Sequence, residues 1–125
     1  MAVKVVDASA IGALLFGEPS AETVASQLSG ARLAAPALLP FEVANICWKK
    51  VRRHPELRAP LLAAHEVLPR MAIDIVAVQH QEVLRLALAT GLTGYDASYL
   101  WLARHLSAEL VTLDIKLANA FRLSS

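Results

Sequence analysis

Asp7, Glu42, Asp96 and Asp114 each stand where an apolar run gives way to a turn or to the start of a helix. In a chain that is 56% hydrophobic, carboxylates at such places call for an account. Two of them about 4 Å apart would repel by roughly 4 kcal/mol at an effective dielectric of about 20. That is a large share of the roughly 5–15 kcal/mol by which a domain is stable. If the fold gathers all four, the cluster needs hard cations or protons to be tolerable. Its donors would all be oxygen, which suits Mg²⁺ or Mn²⁺ rather than zinc or copper. Ions held in this way activate water, align it with a phosphodiester and stabilise charge on the leaving oxygen. No Ser, His or Cys nucleophile is then required.

Each acid also has a local reading. Asp7 with Ser9, and Asp114 with Thr112, pair an acid with a hydroxyl two residues away at a strand end, as turns and helix caps do. Thr93 and Asp96 have the spacing of a capping box, with Asp in place of the usual Glu. Yet Tyr99, Leu100 and Ala103 follow Asp96 at i+3, i+4 and i+7, so Asp96 heads an apolar stripe, where a lone carboxylate is costly. Glu42, Asn45, Lys49, Arg52 and Arg53 share one helical stripe. Together with Lys50, its cations form either a solvated face or a surface for the phosphates of a nucleic-acid backbone. Glu18, Glu22, Glu56, Glu66, Glu82 and Glu109 fall on polar faces or near helix ends, and Asp74 lies at a strand. Those acids read as solubility and capping residues. Trp48 and Trp101 read as core or interface bulk rather than as stacking platforms.

Short β-branched runs alternate with helices along the chain. Val3–Val6 is a strand ending at Asp7, followed by a helix over Ala10–Phe16 that Ser9 can cap, and by a second over Ala21–Leu28. Leu33–Ala35 is a strand stopped by Pro36. A long helix runs from Leu38 to Arg53, ended by His54 and Pro55, and another over Glu56–Met71 carries Pro60 in its first turns. Ile73–Val76 is a third strand and Gln79–Thr90 a helix closed by Gly91. Tyr95–Leu106 is the next helix, Leu110–Thr112 a fourth strand and Asp114–Phe121 a last helix. This alternation predicts a parallel α/β sheet, whose sites form at the carboxyl ends of its strands.

A chain of 125 residues is expected to make one domain over residues 1–125. No uncharged run approaches the roughly 20 residues of a membrane span. Asp7 comes too early for a signal peptide, so a cytoplasmic location and no membrane partner are expected. The single cysteine, Cys47, precludes an internal disulfide, and His54, His65, His80 and His105 lack zinc-ligand spacing. The net charge of +1 carries no message about a partner, whereas the basic run Lys49, Lys50, Arg52, Arg53 does.

Four segments carry a resemblance to a known family: Val5-Val6-Asp7-Ala8-Ser9; Ala35-Pro36-Ala37-Leu38 leading through Glu42-Val43-Ala44-Asn45; Thr93-Gly94-Tyr95-Asp96-Ala97-Ser98-Tyr99; and Val111-Thr112-Leu113-Asp114-Ile115-Lys116-Leu117. In this order and at this chain length they resemble a PIN-domain ribonuclease, specifically the VapC-type toxin of bacterial and archaeal toxin–antitoxin pairs. The resemblance implies a three-layer α/β/α fold around a parallel sheet of four to five short strands. It implies that Asp7, Glu42, Asp96 and Asp114 bind Mg²⁺ or Mn²⁺ and cleave RNA, with Ser9, Asn45 and Thr112 as supporting polar residues. It further implies a homodimer, a VapB-type antitoxin that wraps the toxin, and structured RNA such as tRNA as substrate. One departure concerns the sheet edge, because only Arg-Leu-Ser-Ser follows Phe121 where such domains often add a fifth strand.

Two other classes compete. A phosphoacceptor receiver domain has similar length and an acidic Mg²⁺ pocket, but Asp74 does not end its strand and Lys116 follows an acid already used. A catalytically silent PIN-like module that binds RNA or protein would be marked by loss of an acid, and none is lost.

Overall fold

The computed structural model describes residues 2–123. Its first strand, β1 (Val3–Val6), runs into α1 (Ala8–Leu15) and α2 (Ala21–Leu28); β2 (Arg32–Ala35) leads to α3 (Leu39–Arg53) and α4 (Arg58–His65). Then follow β3 (Asp74–Ile75), α5 (His80–Thr90), α6 (Gly94–His105), β4 (Glu109–Val111) and α7 (Ile115–Leu123). The strands are parallel throughout and lie in the order β3-β2-β1-β4. Register aligns Val5 with Ala34 on one side and with Leu110 on the other.

This order dictates the layers. From β1 through β2 to β3 the chain steps one way across the sheet, then crosses back to place β4 on the far side of β1. Right-handed crossovers travelling in opposite directions put their helices on opposite faces. Accordingly α1 packs on α2 and α3, and α3 on α4, while α6 packs on α5, α7, β1 and β4. The result is the three-layer α/β/α arrangement around four strands. Between them, Val5, Val6, Ile11, Leu100, Leu102 and Leu117 are fully enclosed. Such a core draws its stability from apolar surface removed from water, roughly 25 cal/mol per Å². No helix among the described residues is long and apolar enough to cross a membrane.

Several boundaries differ from expectation, each for a local reason. The helix expected over Glu56–Met71 is three pieces: a 3₁₀ turn at Pro55–Leu57, then α4, then a 3₁₀ turn at Leu68–Met71. Pro60 is tolerated in the first turn of α4, where its missing N–H would have no partner, but Pro69 cannot donate to the carbonyl of His65 four residues back. Asp7, not Ser9, caps α1, accepting from Ala10 N at 3.0 Å. Trp48 is 53% exposed and so is no core residue; the Arg52 guanidinium lies 4.8 Å from its ring centroid. Trp101 is half-buried and stacks on His105 at 4.6 Å. Past Phe121 the chain is still helical to Leu123, so the described residues hold four strands; Ser124 and Ser125 lie outside them.

Candidate active site

The crossovers reverse between β1 and β4, whose carboxyl ends feed α1 on one face and α7 on the other. A crevice opens at such a point in an open parallel sheet. Asp7 directly follows β1, and Thr112, Leu113 and Asp114 directly follow β4. Hydrogen bonds join the two strand ends. The Ser9 hydroxyl donates to Asp7 Oδ1 at 2.7 Å and accepts from Leu113 N at 2.9 Å. The Thr112 hydroxyl donates to Asp7 Oδ2 and accepts from Asp114 N at 3.0 Å. Each hydroxyl has thereby used its single proton, so the 3.4 Å approach between Ser9 and Thr112 is a contact rather than a bond.

Asp7 is 5% exposed, and its carboxylate takes these two bonds and the one from Ala10 N. A carboxylate offers about four lone-pair sites. One remains, aimed by a fixed frame. Burial pushes the Asp7 carboxyl above its usual value, the bonds from Thr112, Ser9 and Ala10 hold it down, and the charge of Asp114 adds to the rise.

The other three acids come from three helices. Asp114 caps α7, its Oδ1 accepting from Leu117 N at 2.8 Å. Asp96 is in the first turn of α6, where the Thr93 hydroxyl accepts from Asp96 N at 3.1 Å, completing one half of the capping box that the spacing predicts. Glu42 is in the first turn of α3, and its Oε1 accepts from the Tyr99 hydroxyl at 2.6 Å.

Charge couples the four acids to one another. The Asp96 carboxyl is raised first by burial, then by Asp114 and Asp7, against the pull of Lys116 and Thr93. Glu42 is raised by burial, lowered by Tyr99 and raised again by Asp96 and Asp7. Tyr99 is 1% exposed, and its phenol is pushed far up by burial and by the Glu42 carboxylate, so it acts only as a donor. Among the described residues, however, no three Asp, Glu, His or Cys groups are close enough, as they stand, to hold one ion together. The four carboxylates thus lie within range of one another's charge without any three of them standing at ligand distance from a common point. The donor set fits a hard divalent cation, being wholly oxygen and anionic, with Asp7 already oriented.

Sequence reasoning missed two members of this site. Tyr99 is one helical turn beyond Asp96, and periodicity assigned it to the core; its ring is there, but its hydroxyl reaches Glu42. Lys116 donates to Gly91 O at 2.9 Å and bears on Asp96. Of the basic run, Lys50 turns aside to pair with Glu18 at 3.0 Å. Lys49, Arg52 and Arg53 face solvent, as does Asn45.

Comparison with known proteins agrees with the fold. The PIN domain family profile matches residues 4–122. The chain belongs to the PIN domain family, in its VapC-type branch. It is 37% identical over 122 residues to the protein named ribonuclease VapC3 of Pyrobaculum aerophilum, covering 94% of this chain and 93% of that one. A second protein of the same organism, named exonuclease VapC9, is 35% identical over 89 residues, 69% of this chain and 65% of its own length. The crystal structure of PAE2754 from Pyrobaculum aerophilum superposes with a TM-score of 0.76 at 31% identity, covering 95% of this chain and 84% of that one. Family membership settles the fold against the receiver-domain alternative.

Proposed function

We propose that this chain is a Mg²⁺- or Mn²⁺-dependent endoribonuclease that acts as the toxin of a toxin–antitoxin pair. The observation that supports this most directly is that Asp7, Glu42, Asp96 and Asp114 lie within range of one another's charge in a chain of the VapC type. These four would hold the ion, which when bound supplies Lewis-acid chemistry: it makes water acidic enough to attack at neutral pH and neutralises charge on the phosphodiester. Asp7 presents one free lone-pair direction from a frame fixed by Ser9, Thr112 and Ala10 N. Glu42 is turned by Tyr99, which leaves its second oxygen free. Lys49, Arg52 and Arg53, along the stripe that starts at Glu42, steer the RNA backbone.

Family likeness extends the reading to a VapB-type antitoxin as partner, a homodimer, a cytoplasmic setting and a structured RNA such as tRNA as substrate. The test is incubation of the purified chain with tRNA, rRNA and mRNA in Mg²⁺ or Mn²⁺, beside EDTA and Asp96→Asn. Cleavage is expected only in the metal-containing wild type; cleavage indifferent to both EDTA and the substitution would sink the mechanism. Absence of cleavage in every arm would favour the catalytically silent module. Because one relative bears the name exonuclease, a circular RNA belongs in the panel: an endonuclease opens it and an exonuclease does not.

A further inference from the structure

Each of two acids in the crevice is preceded in sequence by an aromatic residue that the fold leaves in solvent. Phe41, before Glu42, is 78% exposed, and Tyr95, before Asp96, is 69% exposed. Both line one cleft of about 390 Å³ between α3 and the start of α6. Ala8 and Ile46 are among its walls, Glu42 is one of its lining residues, and Asn45 and Lys49 complete it. Among the described residues neither the Asn45 amide nor the Lys49 ammonium has a hydrogen-bond or ion-pair partner. The cleft thus joins two unpartnered ring faces, a free amide, a free cation and one of the carboxylates of the candidate site.

We infer that this cleft is a nucleoside subsite: it takes an unpaired base of the RNA next to the scissile phosphate, stacked against Phe41 and Tyr95. Lys49 meets a backbone phosphate and Asn45 offers its amide to the base edge. The inference rests on the nuclease reading for the position of the scissile phosphate. The exposed rings, the cation and the cleft volume support it independently of that reading. Exposed aromatic rings beside a cation are how proteins hold single-stranded nucleic acid, because every base has a π-face. The volume lies within the range of sites for small ligands, about 300–1,000 Å³. An occupant of this cleft must also lie against Glu42, which favours a substrate nucleotide over a peptide that only docks. By contrast, the groove on the other side of α3, lined by Cys47, Trp48, Leu62 and His65, touches none of the four acids.

The test uses the intact chain and a fluorescein-labelled single-stranded oligoribonucleotide, with binding read by anisotropy in Ca²⁺. Phe41→Ala and Tyr95→Ala are each expected to weaken binding about 5- to 140-fold, which is a stacking loss of about 1–3 kcal/mol converted at 1.4 kcal/mol per decade. Tyr95→Phe, which keeps the ring, retains the wild-type affinity. Lys49→Ala lowers the slope of log affinity against log salt by about one. An oligoribonucleotide carrying 5-iodouridine should crosslink at Phe41 or Tyr95, located by mass spectrometry. These side chains are exposed, so their loss leaves the core intact, and circular dichroism verifies folding. If the wild type cleaves and binds RNA while both alanine variants bind unchanged, the subsite is overturned and the nuclease reading stands. Crosslinking at the rings without cleavage in any metal supports the subsite as a place where RNA binds and overturns the nuclease reading instead. Unchanged RNA affinity in the alanine variants with a shift in oligomeric state would assign the cleft to a protein partner and overturn the inference. A wild type that neither binds nor cleaves removes both readings.

Discussion

Removing one oxygen atom, in Tyr99→Phe, tests how the site holds Glu42. The ring is 1% exposed and packs in the core, and phenylalanine fills the same space, so apolar burial is retained. What is lost is the 2.6 Å bond to Glu42 Oε1. A hydrogen bond to a charged group contributes about 1.5–3 kcal/mol. Glu42 is only half-buried, so water replaces part of the bond and the lower figure applies. About 1.5 kcal/mol is close to one decade in an equilibrium constant. Loss of a group that orients a metal ligand lowers metal affinity by about 10–100-fold, and the expected effect lies at the lower end of that range. Mn²⁺ binding, followed by the electron paramagnetic resonance of the free ion, measures it directly and needs no substrate. Thermal melting of the metal-free chain should move by only a few degrees, since about 1 kcal/mol corresponds to roughly 4 °C in a domain of this size. A double-mutant cycle with Glu42→Gln then isolates the route: if Tyr99 acts through Glu42, its substitution has little further effect once the carboxylate is gone. Mn²⁺ affinity unchanged in Tyr99→Phe, or effects that simply add in the double mutant, would refute the reasoning.

Three other outcomes are expected. Asp96 is held above its ordinary value of 3.8, first by burial and then by Asp114 and Asp7, so its ionised form opposes folding above the raised pKa, and this opposition fades as pH falls through that pKa towards 3.8. Asp96→Asn should therefore raise the melting temperature of the metal-free chain at neutral pH; the gain should shrink on acidification and on adding Mg²⁺, and a gain that persists at low pH contradicts the electrostatic cause. Thr112→Val keeps the shape but strips Asp7 Oδ2 of its donor and Asp114 N of its acceptor, lowering stability by about 1–3 kcal/mol in urea titration; no change would mean that water replaces the hydroxyl. Expression of the chain without a partner should arrest growth and expression of Asp7→Ala should not, equal toxicity counting against catalysis as the cause.

Much of the fold was legible because its signals are local. Strand runs such as Val3–Val6, the helical stripe from Leu38 to Arg53 and the Gly91 stop depend on neighbours within a few residues, and all three are where the pattern puts them. The expected helix over Glu56–Met71 broke at a local signal, Pro69, whereas the cap of α1 was misassigned because a side chain had a distant partner. Ser9 was free to cap α1 by sequence, but its hydroxyl bridges Asp7 and Leu113, the second of them 104 residues away. Trp48 could not be told from a core aromatic, because exposure depends on which neighbouring element covers a ring.

The amino-acid sequence by itself determined the α/β class, the identity and order of the four acids, and the preference of an all-oxygen set for a hard cation, since these follow from residue chemistry and short-range periodicity. Only the tertiary structure decided that the acids come within range of each other's charge. It set β4 beside β1, so that hydroxyls from two strand ends fix Asp7, and it brought the Tyr99 phenol to Glu42 across 57 residues of chain. Strand order, crossover hand and core packing set those distances, and a spacing along the chain does not encode them.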